Sequence, residues 1–433
     1  MKQSAPNVLI IKALKPEQSS TKEERLRYAN LSSTALRHSK YDSLRWSEFL
    51  LSPDNSVDEE KKAEHLALQY LLQTSEKLNT SKEDDSIQTW SERFTHSSIE
   101  LFGEPNSETA KKLLIQDHNQ IVDAALNSNK DYSVELRDYL DIFDTLDIHT
   151  EAQNRQLEEL KIKESRVTNF FKTQIQNRYD EIIKTLEDSS IPDLLTPQDI
   201  KKYMSTALDK LIINDSRWQG WTAEVVDGAN ISRVGSTIEI GQDRVSMRKK
   251  ELKGIFAHEV LVHGARSING SEKSEILKKG LTGYLSSEEG IATLAEYAMS
   301  GEIPQKIVDR YTDIALALGK IKNKKFTRQE LSDFVIKREK VRTLLGKEDY
   351  GSDDELDKKC AQHVARIYRG SQGNNYIGVF TKDYIYYEGF DKMLDYISEE
   401  IEKSVNENDL YDFLMQGKFD PLNETHVSYI MSE

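Results

Sequence analysis

A single cysteine, Cys360, in a chain of 433 residues excludes an internal disulfide and any metal site built from several thiolates. No Cys-His pattern accompanies it, so it is a poor nucleophile as well. The chain also has no run approaching the ~20 apolar residues of a membrane span. The apolar run near its start, Val8 to Ile11, is far shorter than the core of a signal peptide. Basic charge is in deficit: 59 Lys and Arg stand against 74 Asp and Glu, a net charge of −15. That balance repels polyphosphate, so nucleic acid is not expected as a partner, and without an apolar run a membrane is not expected either. A soluble, cytoplasmic protein is the expectation.

What is present suffices to bury a core, with 37% hydrophobic residues beside 31% charged ones. The first part reads as helical. Ser56 to Asn79 sets Ala63, Leu66, Leu68, Leu71 and Leu72 at helical spacing, and residues 107–127 and 151–188 repeat the style between turn-rich breaks. After Asp215 the texture changes. Short β-rich runs occur at Ala223 to Val226 and Thr237 to Ile240, the second alternating Thr237 and Glu239 with Ile238 and Ile240. Helices are predicted from about Met247 to His263, from near Ser287, and over 304–319, 327–346 and 353–369. A further, aromatic-rich strand is predicted within 376–390. The fold expected is α+β and mostly helical, with a helical N-terminal region over 1–155 and a second region over 156–433 that carries a small β-sheet.

Nine histidines occur, and two of them, His258 and His263, stand in KGIFAHEVLVHGAR. The familiar zinc helix reads H-E-x-x-H; here the histidines are one residue further apart. On an α-helix, ligands four apart diverge by roughly 40°, but ligands five apart diverge by roughly 140°. A regular helix cannot aim both rings at one ion. Two deformations would do so: a π-type bulge that absorbs one residue, or a helix that ends before His263 and swings it inward through Gly264. Glu259 and His263 share a face without deformation and form an alternative pair, with His258 as a bystander. A plainly buried helix is the bland alternative, since Leu252, Ile255, Phe256, Leu261 and Val262 make a broad apolar stripe. Against it, two histidines and a glutamate are costly to bury among aliphatics without a partner.

Catalytic zinc takes three protein ligands. The segment from Tyr284 to Gly301, YLSSEEGIATLAEYAMSG, offers Glu289, with Glu288 as the fallback. Gly290 and Ala292 would let this helix approach the first. Ser286 and Glu289 also fit a capping box, which would employ Glu289 otherwise. Glu296 is two turns on, placed to hold a histidine's second nitrogen or to face solvent.

Together, HEVLVHGAR, EEGIATLAEY and ARIYRGSQGNNYIGVFTKDYIYYEGF resemble the microtubule-associated tyrosine carboxypeptidase family and its bacterial QEGLA-motif relatives. The resemblance is dense over 218–301 and 365–390. It implies a zincin-like metallopeptidase core in which one zinc ion is held by His258, His263 and Glu289, and Glu259 is the catalytic base. Arg266 matches the H-x-x-R continuation, and Ile291 stands where leucine is usual. The implied substrate is the C-terminus of a peptide or protein, with tyrosine or another aromatic as the residue removed. Eukaryotic members act on the acidic tail of tubulin. A chain of net charge −15 has no field to attract such a tail, so microtubule binding is not expected.

A substrate carboxylate is best gripped by a two-pronged arginine, and a developing oxyanion needs a donor. Arg366, Arg369, Lys382, Tyr384 and Tyr386 are the downstream candidates. Arg266 is either a further substrate contact or a brace for the zinc helix. His363 reads equally as a packing residue. Thr237 to Ile240 is the expected edge for adding an extended peptide. The rival class is a non-catalytic helical interaction protein with a structural or vestigial metal site. Glu259 counts against it, because a structural zinc has no need of a base.

Overall fold

The computed structural model describes residues 102–432, apart from 128–132, 147, 149–153, 229–230, 245, 282, 322–323, 347–351 and 369–377, together with scattered positions from 92 to 99. The helix expected over Ser56 to Asn79 and the candidate Arg369 lie outside the described residues.

In chain order, α1 (Ser107–Leu126), α2 (Ser133–Asp144) and the long α3 (Asn154–Glu187) come first. A two-residue strand, β1 (Leu194–Leu195), leads into α4 (Pro197–Asn214). Thr196 and Asp199 close a capping box at the start of α4, with proline at its first position, where no amide is missed. Four strands follow: β2 (Thr222–Val226), β3 (Ile231–Val234), β4 (Thr237–Gly241) and β5 (Met247–Arg248). Helix α5 (Lys249–Phe256) passes into a π-helical segment, Ala257–Gly264, and on into α6 (Ala265–Lys273). Then come α7 (Glu275–Lys279), α8 (Leu285–Ser300), α9 (Gln305–Leu318), α10 (Arg328–Leu344) and α11 (Asp353–Ile367). The last three are α12 (Ile385–Glu402), α13 (Glu407–Leu414) and α14 (Glu424–Ser432). The fold is α+β and mostly helical.

Two units interleave along the chain. Among the described residues, one comprises Leu160–Pro304 and Glu388–Glu433, and the other lies within Leu71–Glu159 and Gln305–Tyr387.

In the first unit, a three-stranded sheet has the order β2-β4-β3, with β4 parallel to β2 and antiparallel to β3. Ile238 and Ile240 of β4 are wholly buried. They stand in register with Ala223 and Val225 on one side and with Arg233 and Ile231 on the other. Helix α4 covers β2 and β4, while β3 meets the π-helical segment. Both sides of β4 are thus hydrogen-bonded, so it is not the edge onto which an extended peptide was expected to add. Strand β3 escapes sequence reading because Ser232 and Arg233 interrupt its apolar pattern.

The strand expected within 376–390 is also absent from the part that is described. Lys382–Tyr384 is a 3₁₀ turn and α12 begins at Ile385. Beyond the short aromatic alternation, Phe390, Met393, Leu394 and Ile397 recur at i, i+3, i+4 and i+7, and all four are buried. The helical period wins because it runs longer.

The second unit buries a charged network. Arg338 forks onto Asp313 with two bonds of 2.9 Å, and Arg342 reaches Asp309 at 2.8 Å and Asp117 at 2.6 Å. His363 Nε2 stands 2.7 Å from Asp313. Such buried charges persist only when paired, so His363 serves this network.

Candidate metal centre

The extra residue between the histidines is absorbed by the π-helical segment. At its end, the Ala265 N–H reaches the Val260 carbonyl five residues back, the bond that defines a π turn. Gly264 keeps helical dihedrals, φ −65° and ψ −53°. Of the two deformations the spacing allowed, the bulge is therefore the one adopted. Residues five apart now share a face. The His258 and His263 rings lie with centroids 4.8 Å apart and planes at 79°.

Helix α8 packs across α5 and the π segment. Gly254 on α5 makes that crossing close, since a Cβ there would lie 3.0 Å from the Glu296 carbonyl oxygen. Gly290, expected to serve this contact, serves another: its Cβ position is 2.2 Å from the Gly389 carbonyl oxygen of α12. The capping box at Ser286 and Glu289 does not form, because the helix begins from Tyr284 with no side-chain cap.

Glu289 turns inward instead. Its Oε2 lies 3.5 Å from His258 Nε2 and 3.6 Å from His263 Nε2, and the three candidate ligand atoms all fall within 4.8 Å of one another. Ligands about 2.1 Å from a tetrahedral ion lie about 3.4 Å apart, close to both separations. Both are too long for good hydrogen bonds. Glu289 Oε2 is buried and has no hydrogen-bond partner. An orphaned carboxylate oxygen between two imidazole nitrogens is the situation a divalent cation resolves. The residues fit a metal. The structure brings His258, rather than Glu259, together with His263.

A second layer of acids holds the rings. His258 Nδ1 is 2.9 Å from Glu296 Oε2, and His263 Nδ1 is 2.9 Å from Glu288 Oε1. A carboxylate beside each Nδ1 favours a proton there, which leaves each Nε2 lone pair to the centre. Burial disfavours a charged His258, yet Glu289 and Glu296 outweigh it and push its pKa up to about 10. Burial opposes an ionised Glu288 too, but Arg266 and His263 hold its pKa down to about 2. So acid-rich a pocket demands positive charge, either as protons on the rings or as a metal ion that displaces them.

Arg266 is fully buried. Its Nη1 lies 2.9 Å from Glu288 Oε2, while its Nε and Nη2 donate to the Gly417 and Phe419 carbonyls at 2.7 and 2.8 Å. Two nitrogens hydrogen-bond to backbone while Nη1 makes an ion pair with Glu288, the arrangement of a brace that ties α6 and Glu288 to the segment after α13. Lysine would keep the charge but lose the fork. Arg266→Lys is expected to destabilise by about 2 kcal/mol and to weaken metal binding about 10-fold or more, as outer-shell changes do. Thermal melts and a competitive metal titration read both. Unaltered metal affinity would mean that Glu288 does not act through His263.

Glu259 is partly exposed within the π segment and makes no hydrogen bond or ion pair with any described residue. The remaining candidates belong to the second unit. Arg366 is engaged by Asp383, with Nη2 at 2.9 Å from Oδ1. Lys382 is buried, and the Tyr384 hydroxyl packs against Gly103.

No curated protein and no solved structure matches the chain. A family model described as microtubule-associated tyrosine carboxypeptidase matches residues 156–320 and 349–431, more than half of the sequence.

Proposed function

The chain belongs to the microtubule-associated tyrosine carboxypeptidase family, and on that footing we propose that it is a zinc-dependent carboxypeptidase removing the C-terminal residue of a peptide or protein. The metal would be held by His258, His263 and Glu289 in a zincin-like core. One observation carries this reading: the π-helical turn converges two imidazole nitrogens on an unpartnered Glu289 oxygen at 3.5 and 3.6 Å.

Zinc bound there would supply a Lewis acid and a water of lowered pKa. Glu296 and Glu288, each 2.9 Å from an Nδ1, would favour a proton on that nitrogen and so the ligating tautomer of His258 and His263. Glu259 has its carboxylate uncommitted. It would take a proton from water at that carboxylate and pass it to the departing amine nitrogen. Tyrosine or another aromatic is the first candidate for the residue removed. A net charge of −15 argues against an acidic microtubule surface as the partner.

Purified protein should carry about one zinc ion per chain and release C-terminal residues from a peptide library. A chelator should stop that release and added zinc restore it. Release that survives complete chelation would refute the metal mechanism.

A further inference from the structure

A cavity of about 330 Å³ lies within the unit that holds the metal centre, and neither Glu259 nor any candidate ligand lines it. Its volume is at the lower end of those that take small molecules. Ala265 and Asn269, one turn apart on α6, face it. His263 precedes Ala265 by two residues, roughly half a turn, and is turned the other way, toward Glu289. The cavity therefore backs the π segment. Trp218 joins the two, since it lines the cavity while a Cβ on Gly264 would fall 2.9 Å from its ring.

The lining divides by chemistry. Ile182, Leu211, Trp218 and Met415 are buried and give an apolar floor. The rim carries charges of both signs. Arg217 on that rim is spent on Asp215 and Glu272. Arg178 and Asp412 keep capacity to spare. They meet through one contact, Nη2 to Oδ1 at 2.7 Å, and Gln174 takes Arg178 Nη1. Arg178 Nε and Asp412 Oδ2 make no hydrogen bond with any described residue. The guanidinium lies over the Tyr411 ring, 4.5 Å from its centre, and the Tyr411 hydroxyl is itself buried without a partner. In the same wall α3 leaves helical dihedrals at Tyr179, φ −131° and ψ 23°. No proline or glycine in QIQNRYDEIIK causes that break.

An unused cationic donor and an unused carboxylate oxygen on one ion pair, above an apolar floor, complement one class of small molecule. A carboxylate suits the first, an ammonium the second, and an apolar side chain the floor. We propose that this cavity binds a free amino acid with an apolar or aromatic side chain, held as its zwitterion by Arg178 and Asp412. Such a molecule is also what the function proposed above releases.

The test titrates L-phenylalanine into the full chain as purified, followed by calorimetry and by tryptophan fluorescence, to which Trp218 contributes. N-acetyl-L-phenylalanine lacks the ammonium and L-phenylalaninamide lacks the carboxylate, so each should bind about 10-fold more weakly. Asp412→Asn should weaken phenylalanine binding about 10-fold and leave the N-acetyl compound unchanged. Arg178→Met should weaken it as much and leave the amide unchanged. Asp412 is exposed, so its variant keeps the test decisive should the arginine variant fold poorly. Binding should persist after zinc is chelated, because no candidate metal ligand lines the cavity. Absence of binding, or an affinity for phenylalanine unmoved by Asp412→Asn, overturns the proposal. So does binding that vanishes with the metal, which would put the amino acid on the ion. Peptide cleavage enters none of these measurements, so the cavity's ligand and the carboxypeptidase reading stand or fall separately.

Discussion

Glu259→Gln is expected to retain its zinc and to lose about 10³-fold in turnover. The side chain keeps its size and its place in the π segment, beside His258 but outside the cluster of His258, His263 and Glu289. Metal content should therefore not change. What disappears is the only function assigned to Glu259, carrying a proton between water and the leaving amine, and general acid–base groups contribute about 10²–10⁴-fold. Metal analysis and steady-state kinetics on the same preparation separate the two effects. A variant that kept both zinc and activity would move the base elsewhere. One that lost zinc as well would place Glu259 among the ligands.

Gly389→Ala is expected to cause the largest loss of stability, about 4 kcal/mol, at the upper end of what overpacking costs. A Cβ on Gly389 would fall 1.9 Å from the Ser286 carbonyl oxygen, and one on Gly290 would fall 2.2 Å from the Gly389 carbonyl oxygen. Both obstacles are backbone, so no rotamer change relieves them and α8 must part from α12. The gain in helix propensity from alanine is about 1 kcal/mol, too small to compensate. For a domain of this size the melting temperature should fall by about 10 °C. Gly290 adjoins Glu289, so displacing α8 also moves a candidate ligand, and metal affinity should fall with stability. Gly254→Ala meets its nearest atoms only at 3.0 Å and should be milder. Calorimetric melts of both variants provide the comparison, and equal stability would contradict the packing described for α8.

Much of the helical framework was legible because its signals are local. Residues 305–318, 328–344 and 353–367 form helices close to where their apolar period places them, and β4 follows its own alternation. The failures share a cause in distant partners. That β4 is central depends on β2 and β3 closing both of its sides.

Spacing by itself determined that the helix carrying His258 and His263 could hold one ion only if deformed, since 100° per residue leaves five-apart ligands on opposed faces. Order and composition of the motifs likewise determined the family. Tertiary structure alone decided which of two adjacent acids faces the histidine Nε2 atoms. Glu288 and Glu289 are separated by one step of rotation, and the rotation of α8 about its axis is set by its contacts with α5 through Gly254 and with α12 through Gly389. Those contacts turn Glu289 to the Nε2 atoms and leave Glu288 to the far nitrogen of His263 and to Arg266. No local period in a sequence records how far a helix is turned.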